Sequence, residues 1–300
     1  MDGLAKAAGH ADRIEPLKSY CKGLLLPGER KSVEPMAARL APDNVRRMHQ
    51  SLHHLVADAP WDDDELLSEV RGAILPAMQK HGPVVAWIAD DTGFPKKGKH
   101  SVGVARQYCG QLGKQENCRV AVSLSVATWN SSLPITYRLY LPEEWAKDAG
   151  RRETTGVPKE IQFQTKPQTA VNQIREAAEA KVALGVVLAD AGYGVDGQFR
   201  AGLTKLGLEY VVGVQSSMTV WEPGTEPLPA KPWKGQGRPT QLLRRERQNQ
   251  PAPGEQMANR PAPPPCVGSR SSRRSRSGQS PDPRPRPALH RSTPTPQPPA

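Results

Sequence analysis

Two aspartates in this chain sit where metal chemistry is possible. Asp90 closes the apolar run Val84-Val-Ala-Trp-Ile-Ala89, and Asp190 closes Ala183-Leu-Gly-Val-Val-Leu-Ala189. Such runs predict short buried strands. The ends of central strands in an α/β sheet are where catalytic and binding residues gather. A carboxylate leaving a buried strand needs a partner. One candidate is a divalent cation shared by Asp90 and Asp190. Mg²⁺ takes oxygen ligands, few of them carboxylates, and leaves room for phosphate. Such a site supports phosphodiester cleavage and transfer. The competing reading is that each carboxylate caps the turn that follows. Asp91 is an alternative to Asp90. Adjacent strand residues face opposite ways, so only one of the two can join Asp190.

The stretch after the first pair carries positive charge. Gly93, Gly98 and Lys99 have the spacing of a nucleotide-binding loop, but His100 stands where Ser or Thr must hold the Mg²⁺. The residues beyond it alternate as a strand does, so that reading is rejected. Between Gly93 and Val120 lie Lys96, Lys97, Lys99, Arg106, Lys114 and Arg119 against one acid, Glu116. A surplus of +5 in 28 residues suits a polyanion held over a metal site. Lys96, Lys97, Lys99, Arg106 and Lys114 are the expected phosphate-holding residues.

The elements that must position these groups follow from periodicity. Residues 12–82 read as helical. Val45, Met48, Leu52, Leu55 and Val56 recur at spacings of three and four, and His53 and His54, being adjacent, do not form a metal pair. Asp62, three residues before Glu65, predicts a helix start rather than a metal cluster in Trp61-Asp-Asp-Asp-Glu65. After Gly82 the period changes. Strands are expected at 84–89, around 102–108, at 118–128 and at 133–141, with a loop at 91–101 and an exposed linker at 151–166. A helix around Val171, Ile174 and Ala177, a strand at 183–189, a helix at 198–206 stopped by Gly207, and a strand at 208–214 complete the pattern. Strands first, then alternating helix and strand, imply an α/β fold with a mixed sheet flanked by helices.

Composition divides the chain further. Its 300 residues carry 41 basic and 30 acidic side chains, a net charge of +11. Residues 241–300 hold 11 Arg, no Lys, 3 acids and 14 Pro, which is +8 in a fifth of the chain. That stretch has no aromatic residue and no apolar period, so it is expected to be a disordered tail. An arginine-rich arm for nucleic acid is one origin; an out-of-phase reading of a GC-rich gene explains the missing lysine better. The expected divisions are 1–82, helical; 83–240, the mixed sheet; and 241–300, the tail. Cys21, Cys109, Cys118 and Cys266 form no paired spacing, which argues against a zinc module or a disulfide framework. No apolar run approaches a membrane span, and residues 1–13 lack a signal core. A cytoplasmic protein is expected.

Several blocks together resemble a known family. Residues 90–118, DDTGFPKKGKHSVGVARQYCGQLGKQENC, are similar to bacterial insertion-sequence transposases of the DDE superfamily. So are LADAGYG at 188–194, GLLLPGERKS at 23–32 and EPMA at 34–37. The resemblance runs over roughly residues 12–240. It implies an RNase H-like catalytic fold, Mg²⁺ or Mn²⁺, and cut-and-join chemistry on the terminal repeats of an element and on target DNA, within a homodimer or larger transpososome. It assigns Asp90 and Asp190 to the metal, with Asp91 as the register alternative, and sets Tyr193 against the DNA. The family also needs a third carboxylate, a Glu on a late helix in a Tyr-x-x-Arg-x-x-x-Glu setting. The last tyrosine here is Tyr210, and Glu246 and Glu255 lack that setting. The resemblance therefore implies a transposase with an incomplete site, inactive as this chain. The alternatives are a catalytically dead DNA-binding remnant that regulates an intact copy, and an unrelated metal-dependent hydrolase.

Overall fold

The computed structural model describes residues 2–222, 225, 228–230, 232, 235 and 251–254. The chain divides into Met1–Asn259 and Arg260–Ala300, and all described residues belong to the first unit. The expected tail therefore lies outside the described residues, apart from 251–254.

The N-terminal region is helical, as its periodicity predicts. Helices α1 (Asp2–Ala7), α2 (Ile14–Leu25), α3 (Val33–Leu40) and α4 (Val45–His53) precede a π-helical turn at His54–Asp58 and the long α5 (Asp63–Gln79). Met36, Ala37 and Leu52 form a small core of their own with Tyr20, Val33, Leu40, Val45 and Met48 around it. Helix α5 starts where its cap requires. Asp62 accepts hydrogen bonds from the N–H groups of Asp64 (2.8 Å) and Glu65 (3.1 Å), and the acids of the first turn face the positive end of the helix dipole.

The sheet begins with β1 (Ala86–Pro95), β2 (Ala105–Cys109), β3 (Lys114–Ala127) and β4 (Ser132–Leu139). Two short helices follow, α6 (Glu143–Lys147) and α7 (Ala149–Thr155), and then α8 (Lys166–Glu179), β5 (Val186–Ala189), the single turn α9 (Ala191–Gly194), α10 (Gly197–Lys205) and β6 (Tyr210–Val212). A two-stranded ribbon pairs β7 (Thr219–Val220) with β8 (Ala252–Pro253). Strand ends shift by a few residues, and two stretches take a different structure from that expected. The segment 91–95 continues β1, because its backbone stays paired to β3 from Asp91↔Val122 to Pro95↔Cys118. Residues 149–155 are helical because the Asp148 side chain caps the turn through Arg151 N–H (2.8 Å).

Five strands run in the order β4–β3–β1–β5–β6. β1, β3 and β4 are antiparallel neighbours, whereas β5 and β6 run parallel to β1. β2 pairs with the first residues of β3. This mixed sheet flanked by helices is the RNase H-like arrangement the sequence implied. Its main core joins Trp87 and Ala89 of β1, Val122, Leu124 and Val126 of β3, Ile135 of β4, Val187 of β5, Ala170, Val171, Ile174 and Ala177 of α8, and Phe199 and Leu203 of α10. Alternate positions of β1 and β3 thus form one covered face. Gln173 fastens α8 to that face, donating to the Val122 carbonyl (3.1 Å) and the Thr136 hydroxyl (2.5 Å). Arg138 on β4 ties the helical region to the sheet. It pairs with Asp64 of α5 at 2.8 Å and with Glu176 of α8 at 3.4 Å.

Candidate metal centre

The parallel pairing of β1 with β5 determines where the aspartates meet. Its last rows are Ile88↔Leu188 and Ala89↔Ala189. Asp90 and Asp190 are the next residues of the two strands, side by side and with the parity of Ile88 and Leu188. Parallel strands lie about 4.8 Å apart, so the two carboxylates share one neighbourhood. Asp90 has its acidity weakened accordingly: partial burial raises its pKa, and the charges of Asp91 and Asp190 add to the rise. Asp190 leaves β5 and caps α9, accepting from Gly192 N–H at 2.9 Å. The capping reading of Asp190 and its place beside Asp90 therefore hold together.

Asp91 has the opposite parity, that of Trp87 and Ala89. It meets the first residue of α8, with Lys166 Nζ 2.5 Å from its Oδ2. Both side chains are about a quarter exposed, at 26% each. Lys166 can reach it because α8 starts at a fixed point. Thr165 caps the helix, and a reciprocal bond from Gln168 completes the capping box, with Pro167 in the first turn. Asp91 is therefore neutralised within the fold, and Asp90 is not.

Tyr193 does not stand against the DNA. Its side chain is 3% exposed and packs on Phe199, ring centroids 5.7 Å apart, in the main core. Burial, with the charges of Asp91, Asp90 and Asp190 around it, holds the phenol protonated well above its ordinary range. Its buried hydroxyl has no hydrogen-bond partner among the described residues. Gly194 lets the turn sit this deep, since a Cβ there would run into the carbonyl of Gly213 beyond β6.

The aspartate pair fits a cation. Two adjacent carboxylates, with the pKa of Asp90 raised by burial and by the charges beside it, are a hard-oxygen donor set, short of positive charge. Among the described residues, Asp62, Asp63 and Asp64 also place carboxylate oxygens within 4.8 Å of one another. They are exposed, and their roles are the α5 cap and the pair with Arg138.

The basic residues lie at a distance from the aspartates. Lys96, Lys97 and Lys99 are exposed in the turn after β1, six or more residues beyond Asp90, or roughly 20 Å along an extended strand. Arg106 is exposed on β2, opposite Asn117 of β3. Lys114 begins β3 and pairs with Glu116 at 3.3 Å, so part of its charge is already spoken for. The lysine turn is therefore not over the aspartate pair but further along the same strand. Sequence reasoning missed Lys166, whose only signal was its place at the first helical position, inside the Thr165-x-x-Gln168 capping box.

A mixed sheet in the order β4–β3–β1–β5–β6, with Asp90 midway along β1 abreast of Asp190 just past β5, defines an RNase H-like fold. The chain matches the DDE superfamily endonuclease family over residues 3–293 and belongs to that family. It is 31% identical over 205 residues to the probable transposase for insertion sequence element IS701 of Microchaete diplosiphon, a match that covers 68% of this chain and 50% of the relative. The chain thus spans about half the length of that curated relative. Among solved structures, it aligns to the piggyBac transposase synaptic complex with hairpin DNA at 10% identity and a TM-score of 0.34, over 70% of this chain and 43% of the other. DDE endonucleases use divalent metal. No helix among the described residues is long and apolar enough to cross a membrane.

Proposed function

We propose that the chain carries two of the metal ligands of an insertion-sequence transposase, Asp90 and Asp190, and the surface that holds its DNA. The observation that carries this reading is the parallel register, which sets the two aspartates abreast. The physical fit is to Mg²⁺ or Mn²⁺, which would neutralise the paired carboxylates and polarise a phosphodiester. In the full reaction, water attacks a phosphorus at the element end and the 3′ oxygen leaves with a proton. The freed 3′ hydroxyl then attacks a target phosphodiester and displaces its 3′ oxygen. The residues of this chain contribute to binding and alignment: Lys96, Lys97, Lys99 and Arg106 neutralise backbone phosphates, with Lys114 a lesser contributor because Glu116 shares it.

The chain is inactive alone in this reading. Among the described residues, Asp91 is the remaining carboxylate at the pair, and Lys166 already holds it. Glu246 and Glu255 lie outside the described residues. Loss of one ligand from an in-line displacement costs orders of magnitude in rate. A strand-cleavage assay with element-end DNA and Mg²⁺ or Mn²⁺ tests this. Little or no turnover is expected; robust turnover abolished by Asp190→Ala would refute it.

The exposed lysine turn favours a second reading, a DNA-binding regulator that occupies element ends or joins an intact copy in a mixed assembly. The assignment of 1–82 to DNA ends, of 83–240 to the catalytic fold and of the protein to the bacterial nucleoid belongs to the same proposal. The family match continues to residue 293, through the arginine- and proline-rich stretch. Deleting residues 241–300 separates the two contributions. Sequence-specific gel shifts that survive the deletion support the regulator; shifts lost with it reduce the binding to an electrostatic arm.

A further inference from the structure

The turn that carries Lys96, Lys97 and Lys99 is held through its own carbonyls. On one side, the Asn117 side-chain amide of β3 donates to the carbonyls of Lys96 (2.6 Å) and Gly98 (2.9 Å). The Lys96 N–H donates back to the Asn117 carbonyl at 2.9 Å. On the other side, Arg151 Nη2 of α7 donates to the Lys99 carbonyl at 2.5 Å. Arg151 is itself fixed, with its guanidinium carbon 3.6 Å from the ring centroid of Trp145. Trp145 is fully buried, and its indole N–H donates to the Val104 carbonyl at 2.7 Å.

Three of four successive carbonyls in an exposed, glycine-containing turn are therefore satisfied by side chains from two separate elements. An ordinary solvated loop would leave them to water. The bracing spends an amide and a guanidinium on backbone, while the three lysine side chains stay exposed. Fixing the backbone path in advance removes an ordering cost that a polyanion would otherwise have to meet on binding.

We propose that Asn117 and Arg151 are positioning residues, which hold the 96–99 turn so that its three lysines neutralise successive phosphates of one DNA backbone as a unit. The inference rests on the reading that this turn holds DNA. Asn117 and Arg151 act through the turn and need not touch the nucleic acid.

The test is the salt dependence of binding to a nonspecific duplex, measured on the full chain. Replacing Lys96, Lys97 and Lys99 together by Ala should lower the slope of log K against log salt by about 3, one for each phosphate contact. Asn117→Ala changes no charge, yet it should lower the slope by about 1 to 2 and weaken binding about tenfold at moderate salt. Asn117→Gln, which keeps the amide donor, should recover part of the loss. In the triple-alanine background, Asn117→Ala should add nothing. Arg151→Lys keeps the charge but not the stacked fork, and should resemble Asn117→Ala. A merely structural lesion would lower the active fraction without changing the slope. If Asn117→Ala and Arg151→Lys keep the full slope while the triple variant loses its share, the bracing proposal fails and the DNA reading stands. If the triple variant itself keeps the full slope, both fail.

Discussion

Asp90 and Asp91 have the same side chain and adjacent places on β1, yet they face different surroundings. Asp91 points to the face that α8 and α10 cover. There Trp87 is completely buried, the neighbouring positions form the main core, and Lys166 meets the carboxylate. Asp90 points to the face shared with Ile88, Leu188 and Val211. That face is less covered, and Val211 is 65% exposed. A charge on the covered side has to be neutralised within the fold. A charge on the open side can wait for a ligand, and the like charge of Asp190 beside it favours a cation. The alternation of a single strand thus separates an aspartate paired within the fold from one on the open face.

The largest effects should come from the covered face. Trp87 is wholly buried and its indole N–H donates to the Ala183 carbonyl at 2.8 Å. Trp87→Ala should destabilise the fold by about 3–5 kcal/mol, through lost burial and a cavity. Val211→Ser on the other face should stay within about 0.5 kcal/mol. Urea unfolding of the two variants measures both. Comparable losses would mean that the open face is packed as tightly as the covered one.

The aspartates sharpen the contrast. Asp91→Asn leaves Lys166 partly buried without its counter-charge and should cost about 1–2 kcal/mol of stability. It should change Mn²⁺ binding little. Asp90→Asn and Asp190→Asn should do the reverse, lowering Mn²⁺ affinity at least tenfold, since each removes a hard oxygen donor from the pair. Calorimetric Mn²⁺ titration beside urea unfolding reads both quantities. If Asp91→Asn proves to be the variant that loses the metal, the assignment of the two faces is reversed.

How much of this could be read from the residues follows from the range of the forces involved. The apolar runs that end on Asp90 and Asp190 announced two buried strands and their carboxylates, because period and burial are local. That only one of Asp90 and Asp91 could join Asp190 was also local, a matter of strand parity. Which of the two lies beside Asp190 depends on the register between β1 and β5, and no residue in either strand encodes that alone. The Lys166–Asp91 pair and the Arg151 bond to the Lys99 carbonyl join residues 75 and 52 positions apart, and the Asn117 bonds span 21 and 19. Tyr193 misled because its place in LADAGYG put it close to the aspartates in sequence. It is indeed close to them, but on the core side, where Phe199 packs against it. The lysines misled in the opposite way. They were near Asp90 in sequence, but an extended strand carries them away from it.

The smallest predicted effect tests how far along β1 and β3 the covered face continues. Cys118 pairs with Pro95 at the end of β1 and has the parity of Val120 and Val122. It is fully buried beside Cys109 and Val120. Burial, with Cys109 close by, pushes its thiol up to about 11. At pH 8 an ordinary cysteine is roughly one-quarter thiolate, whereas a thiol with that pKa is on the order of one part in a thousand. Iodoacetamide should therefore modify Cys118 at least a hundredfold more slowly in the folded protein than in a short peptide, and urea should erase the difference. The raised pKa means that the folded state holds this proton more tightly than the unfolded chain does. Its contribution to stability is complete below the ordinary thiol range, and it is lost as pH climbs toward 11. Peptide mapping after a timed pulse of reagent measures the rate directly. Peptide-like labelling of Cys118 at pH 8 would show that the covered face stops short of it.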